Sequence, residues 1–153
     1  MTEMAKTMFA QRPVEILLVE DNPADVALTE EALQDSKMLN NLTVVNDGAE
    51  AMEYLHRVGK YQSAPRPDLI LLDLNLPKKT GREVLEEIRA DPLLTYIPVV
   101  IMTVSKDEKD VYETYRLHAN CYITKPVRFE EFMEIVKSIE NFWFSIVMLP
   151  QKK

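Results

Sequence analysis

Three short runs in this chain are almost wholly aliphatic: Val14–Val19, Leu69–Leu72 and Ile97–Met102. A strand with one wet face alternates apolar and polar residues. Unbroken runs need apolar cover on both faces, which helices on the two sides of a parallel sheet supply. Leu42–Val45 and Cys121–Ile123 are shorter candidates of the same kind.

The stretches between these runs have helical spacing. Pro23–Asp35 places Val26, Leu28 and Leu33 among acids, with Asn22 as a cap and Pro23 in the first turn. Asp47–Val58 carries Ala51, Met52, Leu55 and Val58, and Gly59 reads as its stop. Thr80–Ala90 sets Val84, Leu85 and Ile88 on one face, and Asp91-Pro92 ends it. Lys106–Leu117 follows, and Phe129–Phe144 carries a stripe of Phe132, Ile135, Val136 and Ile139. Strand and helix thus alternate five times, which predicts an α/β domain with a five-stranded parallel sheet and helices on both faces.

At 153 residues, 46% of them apolar, the chain is expected to form one domain with its own core. A net charge of −7 disfavours a nucleic-acid partner. Cys121 is the only cysteine, so no internal disulfide exists; it reads as an inert buried thiol in a reducing cytoplasm. No apolar stretch approaches the roughly eighteen residues that a membrane span needs, so no membrane partner is expected. His56 and His118 fall in the second and fourth helices, away from the sheet's carboxyl edge, where structural roles are expected.

In open α/β sheets ligands bind beyond the carboxyl ends of the strands. Strand one runs into Glu20-Asp21, strand three into Asp73 with Asn75 two residues on, strand four into Thr103, and strand five into Thr124-Lys125-Pro126. Each alone has a plain structural role as a cap, a turn residue or a solvated lysine. Together they put three carboxylates, a hydroxyl and an ammonium on one rim. Crowded carboxylates repel unless a cation neutralises them. Magnesium suits a few carboxylates, a carbonyl and a phosphoryl oxygen. One carboxylate flanked by magnesium, lysine and a hydroxyl is equipped to accept a phosphoryl group.

Ile16–Asp21 (ILLVED), Asp68–Gly81 (DLILLDLNLPKKTG), Pro98–Thr103 (PVVIMT) and Tyr122–Pro126 (YITKP) resemble the receiver domain of two-component response regulators, from about Val14 to Phe144. More narrowly, LDLNLPKK and the aromatic stretch Phe142–Pro150 look like cyanobacterial phytochrome-associated response regulators that have no output domain. The resemblance implies a flavodoxin-like receiver fold with strand order 2-1-3-4-5. Asp73 matches the phosphoacceptor, Asp21 the main Mg2+ carboxylate, and Glu20 its neighbour. Asn75 would lend the metal its backbone carbonyl. Thr103 matches the switch hydroxyl, Tyr122 the aromatic that turns inward with it, and Lys125 the phosphoryl partner, joined to Pro126 by a cis bond. The implied partners are a sensor histidine kinase, which a phytochrome would fit, and an unidentified downstream protein.

The expected organisation is an arm over residues 1–12, a receiver domain over 13–144 and an apolar tail over 145–153, leaving no room for an output domain. Tyr112 and Tyr115 on helix four, with Phe142, Trp143 and Phe144, suggest a homodimer surface. The competing functions are a phosphorylation-independent adaptor, a metal-dependent aspartyl phosphatase and a flavodoxin. The phosphatase would need an acid where Asn75 stands, and the flavodoxin a phosphate loop without Glu20-Asp21.

Val104 departs from the small residue that the resemblance leads one to expect after the switch hydroxyl, and a β-branched side chain there would narrow the approach of water or hinder the switch. Phosphorylated Asp73 is therefore expected to outlive that of a Val104→Ala variant; equal decay rates by intact mass would refute this.

Overall fold

In the computed structural model the described residues are 13–36, 39–104, 108–125, 128, 130–135 and 137–138. The elements are β1 (Val14–Val19), α1 (Pro23–Gln34), β2 (Asn40–Val45), α2 (Gly48–His56), a short 3-10 turn (Gly59–Tyr61), β3 (Leu69–Leu72), α3 (Gly81–Ala90), β4 (Val99–Thr103), α4 (Glu108–Arg116) and β5 (Cys121–Thr124). Residues 130–135 and 137–138 are also helical. All strand pairs are parallel and the sheet order is β2-β1-β3-β4-β5, as the sequence resemblance implied.

Successive side chains on a strand face opposite ways, so each aliphatic run feeds two cores. On one side Leu17, Val19, Ile70, Leu72, Val99 and Ile101 pack with Ala51, Met52 and Leu55 of α2 and Val84, Leu85 and Ile88 of α3. On the other side Ile16, Leu18, Leu69, Leu71, Val100 and Met102 pack with Ala32 and Leu33 of α1 and with Phe132. Full burial of each of these valine, leucine, isoleucine, methionine and phenylalanine side chains contributes about 1.5–3 kcal/mol.

The element boundaries differ from the sequence reading where polar groups decide them. β2 starts at Asn40 rather than Leu42, because Asn40 and Asn41 extend the pairing with β1 and anchor their amides, Asn40 on the Leu33 carbonyl at 3.1 Å and Asn41 on Glu15 at 3.0 Å. β4 starts at Val99 rather than Ile97: the Ile97 N–H closes a turn onto the Leu94 carbonyl, and Pro98 has no N–H to offer a ladder. In α1 the buried face is Thr29, Ala32 and Leu33, with Val26 and Leu28 only half-buried. Thr29 tolerates burial because its hydroxyl donates to the Asp25 carbonyl at 2.9 Å. α2 ends two residues before Val58, on a left-handed Arg57 (φ 57°) whose N–H bonds the Glu53 and Tyr54 carbonyls, so Gly59 is not its cap. His118 lies in the turn after α4 rather than inside the helix; His56 is exposed, 3.3 Å from Asp91.

At the amino ends of β4 and β5, Arg89 ties two loops together, the one before each strand. Its guanidinium donates to the carbonyls of Thr95 (2.8 Å), Ile97 (2.9 Å), His118 (2.9 Å) and Leu117 (3.1 Å), and burial lowers its pKa. No helix among the described residues is long and apolar enough to cross a membrane.

At the opposite end, α3 begins against the turn after β3. A Cβ on Gly81 would lie 2.1 Å from the Asp73 carbonyl oxygen and 2.6 Å from Leu74 Cα, both backbone atoms that cannot yield. Gly81→Ala is therefore expected to destabilise the fold by about 2 kcal/mol or more, read as a lower urea midpoint at unchanged slope.

Candidate functional site

Every ladder that ends at the carboxyl edge delivers a polar side chain. The Glu20 N–H continues the β1 ladder onto the Val45 carbonyl at 3.0 Å, and its own carbonyl accepts the Asn46 amide at 3.1 Å, which fixes the backbone beside Asp21. The Asp73 N–H bonds the Val19 carbonyl at 3.1 Å, so the end of β3 is registered directly against the end of β1. The Lys125 N–H bonds the Thr103 carbonyl at 2.7 Å, which registers β5 against β4 in the same way.

The side chains then meet. Oxygens of Glu20, Asp21 and Asp73 all lie within 4.8 Å of one another, with Glu20 and Asp73 buried and Asp21 exposed at the mouth. The Lys125 Nζ is buried, 7% exposed, and donates to Glu20 Oε1, to Asp25 Oδ2 at 2.9 Å and to Asp73 Oδ2 at 3.3 Å. The other Asp73 oxygen accepts the Asn75 N–H at 3.0 Å. Thr103, fully buried, accepts the Asn75 side-chain amide at 3.1 Å. Tyr122 is half-buried against the core beneath α2 and α3.

The charge balance is uneven: four carboxylates (Glu20, Asp21, Asp25, Asp73) surround one ammonium. Burial raises the Glu20 pKa to about 7, a hydrogen bond with Asp73 pushes the same way, and Lys125 offsets part of it. Burial alone would lower the Lys125 pKa, but its bonds to Glu20 and Asp25 and the nearby Asp73 charge raise it well above that of a free lysine. A protonated Glu20 relieves the crowding at low pH, and a cation would relieve it at high pH. The clustered donors are all carboxylate oxygens, which fit a hard divalent ion such as Mg2+ or Mn2+.

Thus Glu20, Asp21, Asp73, Asn75, Thr103 and Lys125, all named from strand ends, come together in space. Two features escaped the sequence reading. Asp25 looks like an ordinary first-turn acid at a helix N-terminus, and only the fold reveals Lys125 beside it. Asn75 was noted for its backbone carbonyl, whereas its N–H and its amide are the groups engaged here, with Asp73 and Thr103. Tyr115 is exposed. Pro126, Phe142, Trp143, Phe144, residues 1–12 and residues 145–153 lie outside the described residues, as do the side chains of Tyr112 and Cys121.

Residues 16–137 match the response regulator receiver domain family. Over 138 residues the chain is 50% identical to the response regulator Rcp1 of Synechocystis sp., covering 90% of this chain and 94% of that protein. The structure of the phosphorylated cyanobacterial phytochrome response regulator RcpA superposes with a TM-score of 0.84 at 53% identity, covering 92% of this chain and 100% of that one. The Mn2+-bound form of Rcp1 superposes with a TM-score of 0.83 at 50% identity, covering 91% and 100%.

Because Glu20 holds its proton to about pH 7 when folded, against an ordinary value of 4.5, the native state binds more protons than the unfolded chain between those values. Stability therefore falls as pH rises through that window. In EDTA the melting temperature is expected to drop between pH 5 and pH 8, and less steeply in Glu20→Gln; parallel profiles would refute the assignment.

Proposed function

We propose, from the premise that this chain belongs to the response regulator receiver domain family, that it accepts a phosphoryl group on Asp73 from a sensor histidine kinase and signals through protein–protein contacts. The observation that carries the proposal is the setting of the Asp73 carboxylate. One oxygen faces the Asn75 N–H and the other faces the buried Lys125 ammonium, beside two further acids.

An Asp73 oxygen attacks phosphorus, the bond to the donor histidine nitrogen breaks, and its electron pair stays on the imidazole, which takes a proton from solvent. Charge accumulates on the phosphoryl oxygens during this transfer, and stabilising it is the main task of the site. Lys125 meets it with an ammonium that is held charged. Thr103 supplies a hydroxyl at the end of β4 that accepts the Asn75 amide and keeps its own proton to donate to a phosphoryl oxygen, and Tyr122 would turn inward as Thr103 moves. Glu20, Asp21 and Asp73, with the Asn75 carbonyl, would hold Mg2+, which neutralises the phosphoryl oxygens when bound.

The two structural relatives named above are a phytochrome response regulator and Rcp1. That kinship supports a phytochrome as the donor kinase. The receiver domain spans residues 13–144. It would form a homodimer through α4, β5, Tyr112, Tyr115 and the Phe142–Phe144 stretch and pass its signal to a downstream protein.

Incubation with phosphoramidate and Mg2+ is expected to add one phosphoryl group to the wild type by intact mass, and none to Asp73→Asn or to wild type in EDTA. A wild type that gains no mass, or an Asp73→Asn variant that gains it equally, would overturn the proposal. The first outcome would favour a phosphorylation-independent adaptor.

A further inference from the structure

The Lys125 ammonium has three protons and three carboxylate acceptors: Glu20, Asp25 at 2.9 Å and Asp73 at 3.3 Å. Glu20 and Asp73 belong, with Asp21, to the oxygens close enough to share a cation. Asp25 stands outside that set. It sits in the first turn of α1, 100 residues from Lys125 in sequence and with its side chain 33% exposed.

The local backbone holds Asp25 from both sides. Asn22 Oδ1 accepts its N–H at 3.2 Å, and its carbonyl accepts the Thr29 hydroxyl at 2.9 Å. An aspartate has only two side-chain torsions, so its carboxylate offers a firm anchor. Lysine, by contrast, is a point charge on a flexible four-carbon stem, and its direction depends on its partners. Once a cation draws on Glu20 and Asp73, and Asp73 also carries the phosphoryl group, two of the three acceptors of Lys125 are committed elsewhere. Asp25 is the carboxylate left to it.

We propose that Asp25 is a positioning residue for phosphoryl transfer: it anchors the Lys125 ammonium while Glu20 and Asp73 are engaged, and so keeps one N–H aimed at the phosphoryl oxygens. The proposal rests on Asp73 being the phosphoacceptor. It also separates two roles for a first-turn acid. One that only complements the helix N-terminus affects stability alone; one that holds Lys125 affects the rate of transfer.

The test uses the full chain with Asp25→Ala and Asp25→Glu. Phosphorylation by phosphoramidate at saturating Mg2+ is followed by intact mass, and Mg2+ affinity is measured by calorimetric titration. The expected result is a rate about tenfold lower in Asp25→Ala, in line with the cost of misplacing a group at a reacting centre. Mg2+ affinity should stay within about twofold of wild type, and Asp25→Glu should recover most of the rate. An Asp25→Ala rate equal to or above that of a phosphorylating wild type overturns this proposal alone. So does a loss of Mg2+ affinity that matches the loss of rate, since Asp25 would then belong to the cation site. Wild type that takes up no phosphoryl group overturns the phosphoacceptor assignment and this inference with it.

Discussion

A single buried ammonium holds together a rim that would otherwise repel itself. Lys125 bonds Glu20, Asp25 and Asp73, which come from the ends of β1 and β3 and the first turn of α1. Removing one partner from such a set leaves uncompensated buried charge, and that costs more than a surface ion pair contributes. The set stays net negative even so, and burial, with Asp73 beside it, makes Glu20 hold its proton until about pH 7. The site is thus poised to take up positive charge, by protonation or by a divalent cation.

Delivery of these groups to one place depends on parallel pairing. Parallel strands end on the same side of the sheet, so residues just past β1, β3, β4 and β5 become neighbours although they are far apart in the chain. The register makes this quantitative. The Asp73 N–H on the Val19 carbonyl and the Lys125 N–H on the Thr103 carbonyl carry the ladder one residue beyond each strand. A slip of one residue would turn Asp73 or Lys125 toward a helix-covered face. Gly81 completes the arrangement, since the start of α3 approaches the Asp73 carbonyl too closely for any side chain. At the other end of the sheet Arg89 binds carbonyls of the loops before β4 and β5 and ties them together.

The fold was legible because its strongest signals are local. Val14–Val19 and Leu69–Leu72 are too uniformly aliphatic for a sheet with a wet face, and their observed limits match those runs. Errors arose where a polar side chain or a backbone conformation overrode hydrophobicity. Asn40 and Asn41 extend β2 because an edge strand tolerates polar residues whose amides find partners, here the Leu33 carbonyl of α1 and Glu15 of β1. Arg57 closes α2 in the left-handed region although Gly59 stands nearby as the obvious stop. Thr29 replaces Leu28 on the buried face of α1 once its hydroxyl finds the Asp25 carbonyl.

The site divides along the same line. Glu20, Asp21, Asp73, Thr103 and Lys125 could be named from sequence because each follows an apolar run, and strand ends are where a parallel sheet gathers chemistry. Asp25, the amide of Asn75 and the guanidinium of Arg89 carry no such marker. An acid in a first turn, an amide in a loop and an arginine at a helix end are common surface residues, and their roles here come from partners 100, 28 and about 30 residues away. The sequence by itself determined the α/β architecture and which strand ends carry clustered polar groups, because periodicity and apolar runs are properties of neighbours in the chain. Only the tertiary structure decided which groups hold those side chains in place, because hydrogen bonds and ion pairs depend on distance in space, which no local pattern records.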